Sequence, residues 1–131
     1  MPLLTRDDIA NVDDRQYDEV EVPEWGGSVR VRGMSGTERD AYEASILEQR
    51  GNDRRVNLAN ARAKLVVRCL VDEGGQLMFT PDDVRLLGRK SAKALERVFD
   101  KARELSGMSE DDVAKLTENF DDDPSGSGTS D

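Results

Sequence analysis

Two short runs in which apolar and polar residues alternate set the tightest limit on how this chain can fold. From Tyr17 to Val22 the order places Tyr17, Glu19 and Glu21 on one side and Asp18, Val20 and Val22 on the other. After Pro23-Glu24-Trp25-Gly26-Gly27 the alternation resumes, with Val29 and Val31 set between Ser28, Arg30 and Arg32. Strand side chains point to opposite faces in turn, so a period of two on either side of a Gly-Gly turn predicts a β-hairpin. Glu19 and Glu21 are expected to face Arg30 and Arg32 across it, pairings that each contribute a fraction of a kcal/mol.

The rest of the chain reads as helices. Thr5-Arg6-Asp7-Asp8 has the spacing of a cap and an acid for a short helical turn through Ile9. Ser35-Gly36-Thr37-Glu38 spells a capping box and predicts a helix through Tyr42, Ile46 and Leu47, ended by Gly51-Asn52-Asp53. A second helix is expected through Leu58, Ala61, Leu65, Val66, Cys69 and Leu70, whose spacings of three and four make it the candidate core helix. Asp72-Glu73-Gly74-Gly75 stops it, and Leu77-Met78-Phe79 reads as a strand fragment or a packed loop. Thr80-Pro81-Asp82-Asp83 combines a cap, a first-turn proline and first-turn acids, opening a brief helix that ends near Gly88. Ser91 caps a longer helix with a stripe of Ala92, Leu95, Val98, Phe99, Ala102 and Leu105, closed by Gly107. Ser109-Glu110-Asp111-Asp112 opens a last helix carrying Val113 and Leu116.

After Phe120 no apolar residue remains to offset the entropy of ordering, which predicts a disordered acidic tail. The expected fold class is therefore α+β: an N-terminal β-hairpin followed by a small helical domain of four to five helices. The expected organisation is an acidic N-terminal arm over residues 1–16, one α+β domain over 17–119 and the tail over 120–131. A chain of 131 residues has room for one such core.

The residue inventory removes most catalytic chemistry. There is no histidine, and Cys69 is the only cysteine, so no internal disulfide, zinc site or histidine-based catalytic pair is expected. Cys69 sits among Leu65, Val66 and Leu70 and reads as a small buried hydrophobe. Gly88-Arg89-Lys90-Ser91 resembles the end of a phosphate-binding loop, but the glycine needed five residues earlier is Asp83, and the bland reading is a helix break. Asp121, Asp123, Ser125 and Gly126 match the first half of a calcium loop without its twelfth-position acid. The acidic pairs Asp7-Asp8, Asp13-Asp14 and Asp82-Asp83 fall at turns and first helical turns, where capping and solubility account for them. No catalytic residue, cofactor or metal is assigned, and the chain is read as a non-enzymatic protein.

Charge argues about partners. The net charge is −9, and the acids concentrate at the ends: the first 24 residues hold eight acids against Arg6 and Arg15, and residues 109–131 hold eight against Lys115. The middle is only mildly basic, which disfavours a nucleic-acid partner because phosphate binding needs a concentrated cationic footprint. No apolar run approaches a membrane span and the start lacks the pattern of a signal peptide, so a cytoplasmic protein without a membrane partner is expected. Arg50, Arg54, Arg55, Arg62 and Arg68 are expected to form a solvated basic helix face that can receive the acidic tail or an acidic partner. Trp25, the only tryptophan, is either an anchor packing the hairpin on the helices or an exposed contact for a partner.

The ordered set of segments resembles a known family. Val22-Pro23-Glu24-Trp25-Gly26-Gly27-Ser28-Val29-Arg30-Val31-Arg32, Met34-Ser35-Gly36-Thr37-Glu38-Arg39-Asp40, Arg68-Cys69-Leu70-Val71-Asp72-Glu73-Gly74-Gly75, Leu77-Met78-Phe79-Thr80, Leu87-Gly88-Arg89-Lys90-Ser91 and Leu95-Glu96-Arg97-Val98-Phe99 together resemble the tail assembly chaperones of long-tailed siphophages, especially those of actinobacterial hosts. The resemblance implies a factor of the host cytoplasm that binds the tape measure protein and helps recruit tail tube protein, leaving no part in the mature virion. It also implies a longer frameshift product of the same gene, and a homo-oligomer is open. On that reading Trp25 and Phe79 are the expected partner contacts, with Arg30 and Arg32 adding electrostatic steering. The alternatives are a structural virion component, such as a tail or head-tail connector protein, and a small nucleic-acid-binding regulator.

Overall fold

The computed structural model describes residues 2–50, 53–56 and 59–108. The expected helix over 109–116, the expected tail over 120–131, and Gly51, Asn52 and Leu58 lie outside the described residues. Helix α1 (Arg6–Asn11) opens on a complete capping box between Thr5 and Asp8 and buries none of its residues. Strands β1 (Tyr17–Val22) and β2 (Gly27–Arg32) form the expected antiparallel hairpin, with Val20 opposite Val29 and Val22 opposite Gly27. The alternation is realised as burial: Val20, Val22 and Val31 face the core while Tyr17, Glu19 and Glu21 stay exposed. Burying one such valine removes enough apolar surface from water to contribute about 1.5–3 kcal/mol.

The hairpin is not left as two strands. The expected core helix is short, running only from Ala61 to Val66 as α3; after a turn the chain becomes β5 (Leu70–Val71), which pairs antiparallel with β2. The sheet therefore has three strands in the order β1-β2-β5. The physical reason is the unpaired edge of β2: it gains Arg30 opposite Val71 and Val31 opposite Leu70, and the Arg32 N–H donates to the Cys69 carbonyl at 2.8 Å.

A second departure follows α2 (Gly36–Ser45). The Ser35–Glu38 capping box starts that helix as expected, but it stops before Leu47. Instead β3 (Leu47–Arg50) pairs antiparallel with β4 (Asp53–Val56) in a second hairpin. The expected basic helix face is corrected with it, since Arg50, Arg54 and Arg55 lie on strands. Arg62 sits on α3, ion-paired to Glu96 at 2.7 Å and over the Phe99 ring at 5.6 Å. Arg68 lies in the turn beyond and donates to the Lys64 carbonyl.

The remaining described helices follow the expected pattern, except that Ala92, expected in the last stripe, is exposed and Ala94 is buried instead. Thr80 caps a 3-10 turn (Pro81–Asp83) that leads into α4 (Val84–Gly88), and Ser91 caps α5 (Ala92–Leu105) by accepting from the Ala94 N–H. Ala94, Leu95, Val98, Phe99 and Ala102 are the buried stripe of α5, which packs against α3 and across β1 and β2. The helix ends where Gly107 takes φ +75°: the Gly107 N–H donates to Glu104 and the Met108 N–H to Arg103, which satisfies the last carbonyls and folds Met108 into the core.

Candidate functional site

An apolar opening to solvent lies where the β1–β2 turn meets the segment after β5. Pro23–Trp25 form a 3-10 turn closed by Gly26 at φ +81°, whose N–H donates to the Pro23 carbonyl at 3.0 Å. Glu24 in that turn accepts two hydrogen bonds from Arg97 of α5, at 2.7 and 3.1 Å. The bidentate clamp fixes the turn on the helix. It also holds the Glu24 carboxyl down at about 2, the Arg97 bonds being the main cause. Trp25 is consequently held half-buried against the core, its indole Nε1 enclosed without a hydrogen-bond partner.

The opposing wall comes from a tight reversal. Asp72 accepts from the N–H groups of Gly74 and Gln76 at 2.9 and 3.0 Å, and Gly75 turns at φ +83°. The chain then runs back along β5, with Leu77 bridging Val71 and the Met78 N–H donating to Leu70 at 3.1 Å. This brings Met78 and Phe79 opposite Trp25. Val29, Leu70 and Leu87 complete the apolar lining, and Glu24 and Lys90 stand at its edge, enclosing a cleft of about 440 Å³. Leu77, Met78 and Leu86 are exposed large hydrophobes of the same neighbourhood, Met78 at 53%. An apolar concavity with exposed hydrophobes at its mouth is what a surface for an apolar segment of another molecule requires.

Of the four residues singled out from the sequence, the structure brings Trp25 and Phe79 together in this cleft and places Arg30 and Arg32 elsewhere. Arg30 meets Glu19 at 3.4 Å across the hairpin, as expected, and donates to the Glu73 carbonyl at 3.3 Å. Arg32 stands opposite Tyr17 rather than beside Glu21; it is buried, ion-paired to Glu38 at 3.1 Å, and its other end reaches the Gly75 carbonyl at 3.5 Å. Of the two arginines, Arg30 presents its guanidinium to solvent while Arg32 is turned inward to its ion pair. Both arginines instead hold the Asp72–Gly75 reversal that aims Phe79. Met78, Leu87, Val29 and Lys90 were missed as site residues; the apolar run Leu77-Met78-Phe79 was the signal available for Met78.

Cys69 is fully buried and its thiol is pushed up to about 12, mainly by that burial. Among the described residues no helix is long and apolar enough to cross a membrane, and no cluster of three potential metal ligands occurs.

A search of curated proteins finds no match. The chain shares its fold with the solved tail assembly chaperone of bacteriophage HK97, at 21% identity and a TM-score of 0.53, over 70% of this chain and 85% of that one. The sequence model of the phage tail assembly chaperones matches residues 8–116, and with both hairpin and helices inside that span, the chain belongs to the phage tail assembly chaperone family.

Proposed function

We propose that this chaperone acts by holding an apolar helical segment of the tape measure protein in the Trp25–Phe79 cleft, in the host cytoplasm, before the tail tube forms around it. The observation that carries the reading is the cleft itself: Trp25, Met78 and Phe79 present an apolar surface too open to be core, with the buried Leu87 at its floor, on a molecule whose remaining surface is heavily charged. A tape measure protein must be long, and long apolar helices aggregate unless their apolar stripe is covered. Covering that stripe needs no catalysis, so the function is binding alone. The same complex is the natural place for tail tube protein to be recruited, and for a longer frameshift product sharing this domain to act alongside it.

The test is co-expression of the chain with a tape measure protein of the same phage. The wild type is expected to keep the client in the soluble fraction and to co-purify with it. Met78→Glu, which places a charge in the cleft at a half-exposed position, is expected to lose both while remaining folded. Full client recovery with Met78→Glu would remove the cleft from the mechanism, and no recovery with the wild type would remove the tape measure protein as client.

A further inference from the structure

The Trp25–Phe79 cleft does not end at Lys90. A second opening of about 340 Å³ adjoins it, with Asn60, Arg62, Gly88, Lys90 and Glu96 in its lining, so that Lys90 belongs to both. The two also meet through the backbone: Leu87 lines the first and Gly88 the second, consecutive residues whose Cα atoms lie about 3.8 Å apart. A Cβ on Gly88 would lie 2.5 Å from the Asn60 Oδ1. The missing side chain is what lets the Asn60 amide close in on the end of α4. An apolar compartment thus opens directly into a polar one.

Charge is compensated in both compartments and uncompensated where they join. Glu24 of the first accepts from Arg97 at 2.7 and 3.1 Å, and Glu96 of the second is ion-paired to Arg62 at 2.7 Å. Lys90 is exposed and forms no ion pair with any described residue. Its backbone is nevertheless held, because its N–H donates to the Leu87 carbonyl at 3.0 Å and the next residue, Ser91, caps α5. A carboxylate arriving at Lys90 therefore meets a placed cation and has no existing pair to break. We infer that the cleft selects client segments in which an acidic side chain stands one helical turn from the apolar residue that enters beside Trp25, with the carboxylate pairing to Lys90. One turn advances about 5.4 Å, the scale on which the two compartments adjoin. The inference rests on the cleft being the client site, and it adds the charge that the client carries there.

Trp25, the only tryptophan, reports on the cleft directly. The receptor is the full chain, and the probes are synthetic amphipathic helices of about 17 residues with a leucine stripe. They differ only at the positions four before and four after the central leucine, which carry Glu, Gln or Lys, so that either direction of docking offers the charge. All are expected to shift Trp25 emission saturably, the Glu peptide binding about fivefold more tightly than the Gln peptide and the Lys peptide most weakly. Lys90→Glu should reverse that order and Lys90→Gln should level it. Arg85→Glu makes the same change of net charge as Lys90→Glu at an exposed position that lines neither compartment, and should leave the order intact. Equal binding of the Glu and Gln peptides, both lost with Met78→Glu, overturns the inference and leaves the client site standing. An order that survives Lys90→Glu, or that Arg85→Glu reverses as fully, overturns it in favour of the field of the whole molecule. Tighter binding by a peptide of residues 109–131 than by the Glu peptide overturns it in favour of the chain's own acidic end. No saturable shift with any probe removes the cleft as the client site, and the inference with it.

Discussion

Arg32 Nη2 lies 3.1 Å from Glu38 Oε2, and the same carboxylate accepts from Arg15 Nη1 at 2.7 Å and from the Ser35 N–H at 2.8 Å. One side chain thus joins the base of the arm, the end of β2 and the first turn of α2. Arg32 is almost completely buried, so removing Glu38 strands a guanidinium away from water and opens a helix cap at once. Glu38→Ala is expected to cost about 2–4 kcal/mol. Arg15 is a third exposed, and Arg15→Ala should cost less than about 1 kcal/mol. Urea unfolding of both variants checks the ranking; equal losses would mean that Arg32 finds another partner.

The Glu24–Arg97 clamp makes stability depend on acid. Glu24 has its folded value near 2, below its ordinary 4.5, so the unfolded chain binds protons more readily than the folded one as pH falls. The clamp's contribution is complete above about 4.5 and declines as the pH drops from there toward about 2. Asp8 and Asp18 are lowered as well, Asp8 chiefly by the Thr5 N–H and Asp18 by the Glu19 N–H and then Lys101. Glu24→Gln should therefore flatten the fall in the urea midpoint over that window without abolishing it. A slope identical to the wild type would show that the clamp is open in solution.

Two glycines near one another in sequence should respond in opposite directions to alanine. A Cβ on Gly33 would lie 2.3 Å from the Leu105 carbonyl oxygen, where α5 passes the end of β2. That neighbour is backbone held by its own helix, so Gly33→Ala should destabilise by about 1–3 kcal/mol. At Gly36, the first residue of α2, a Cβ meets nothing within 4 Å, and Gly36→Ala should stabilise by about 0.4–1 kcal/mol by restricting the unfolded chain. Thermal unfolding of the pair decides it.

Cys69 offers a labelling test of the core. A thiol raised to about 12 and shut away from solvent carries almost no thiolate at pH 8. Iodoacetamide should leave the native chain unmodified for as long as it stays folded and label it fully in urea. Rapid native labelling would mean that the turn between α3 and β5 opens locally.

How legible the molecule was in its sequence differs from residue to residue. Val20, Val22, Val29 and Val31 announced the first hairpin because one buried sheet face imposes a period of two that no helix shares. The caps at Thr5, Ser35, Thr80 and Ser91 were legible because they are local, each side chain satisfying an N–H two or three residues on. Leu70 and Val71 misled because an apolar run at a helix end satisfies either period, and its choice of strand depends on the free edge of β2, far away in sequence. Leu47–Val56 misled for a different reason: Gly51-Asn52 was read as a helix stop, although a two-residue Gly-Asn separation between short runs is equally a hairpin signal. Trp25 and Phe79 stood out as large aromatics, whereas Leu87 became a cleft residue only through the packing of α4, which no local pattern encodes.

Met78 and Leu87 face the same cleft from opposite conditions, one half-exposed and one 3% exposed, and that contrast separates binding from folding. Met78→Glu adds a charge where water already reaches, so its effect on stability should stay within about 0.5 kcal/mol. Leu87→Ala removes a buried side chain whose neighbours close the gap only in part, which should cost about 2–4 kcal/mol. If the cleft holds an apolar partner, the binding losses should run the other way. Met78→Glu forces a carboxylate against apolar surface in the complex and should abolish binding, while Leu87→Ala trims one wall and should weaken it modestly at a temperature where the variant is folded. Thermal midpoints and client recovery on the two purified variants check this. If binding falls in proportion to stability in both, the cleft is a structural seam; if the two orders are reversed, it is the working surface.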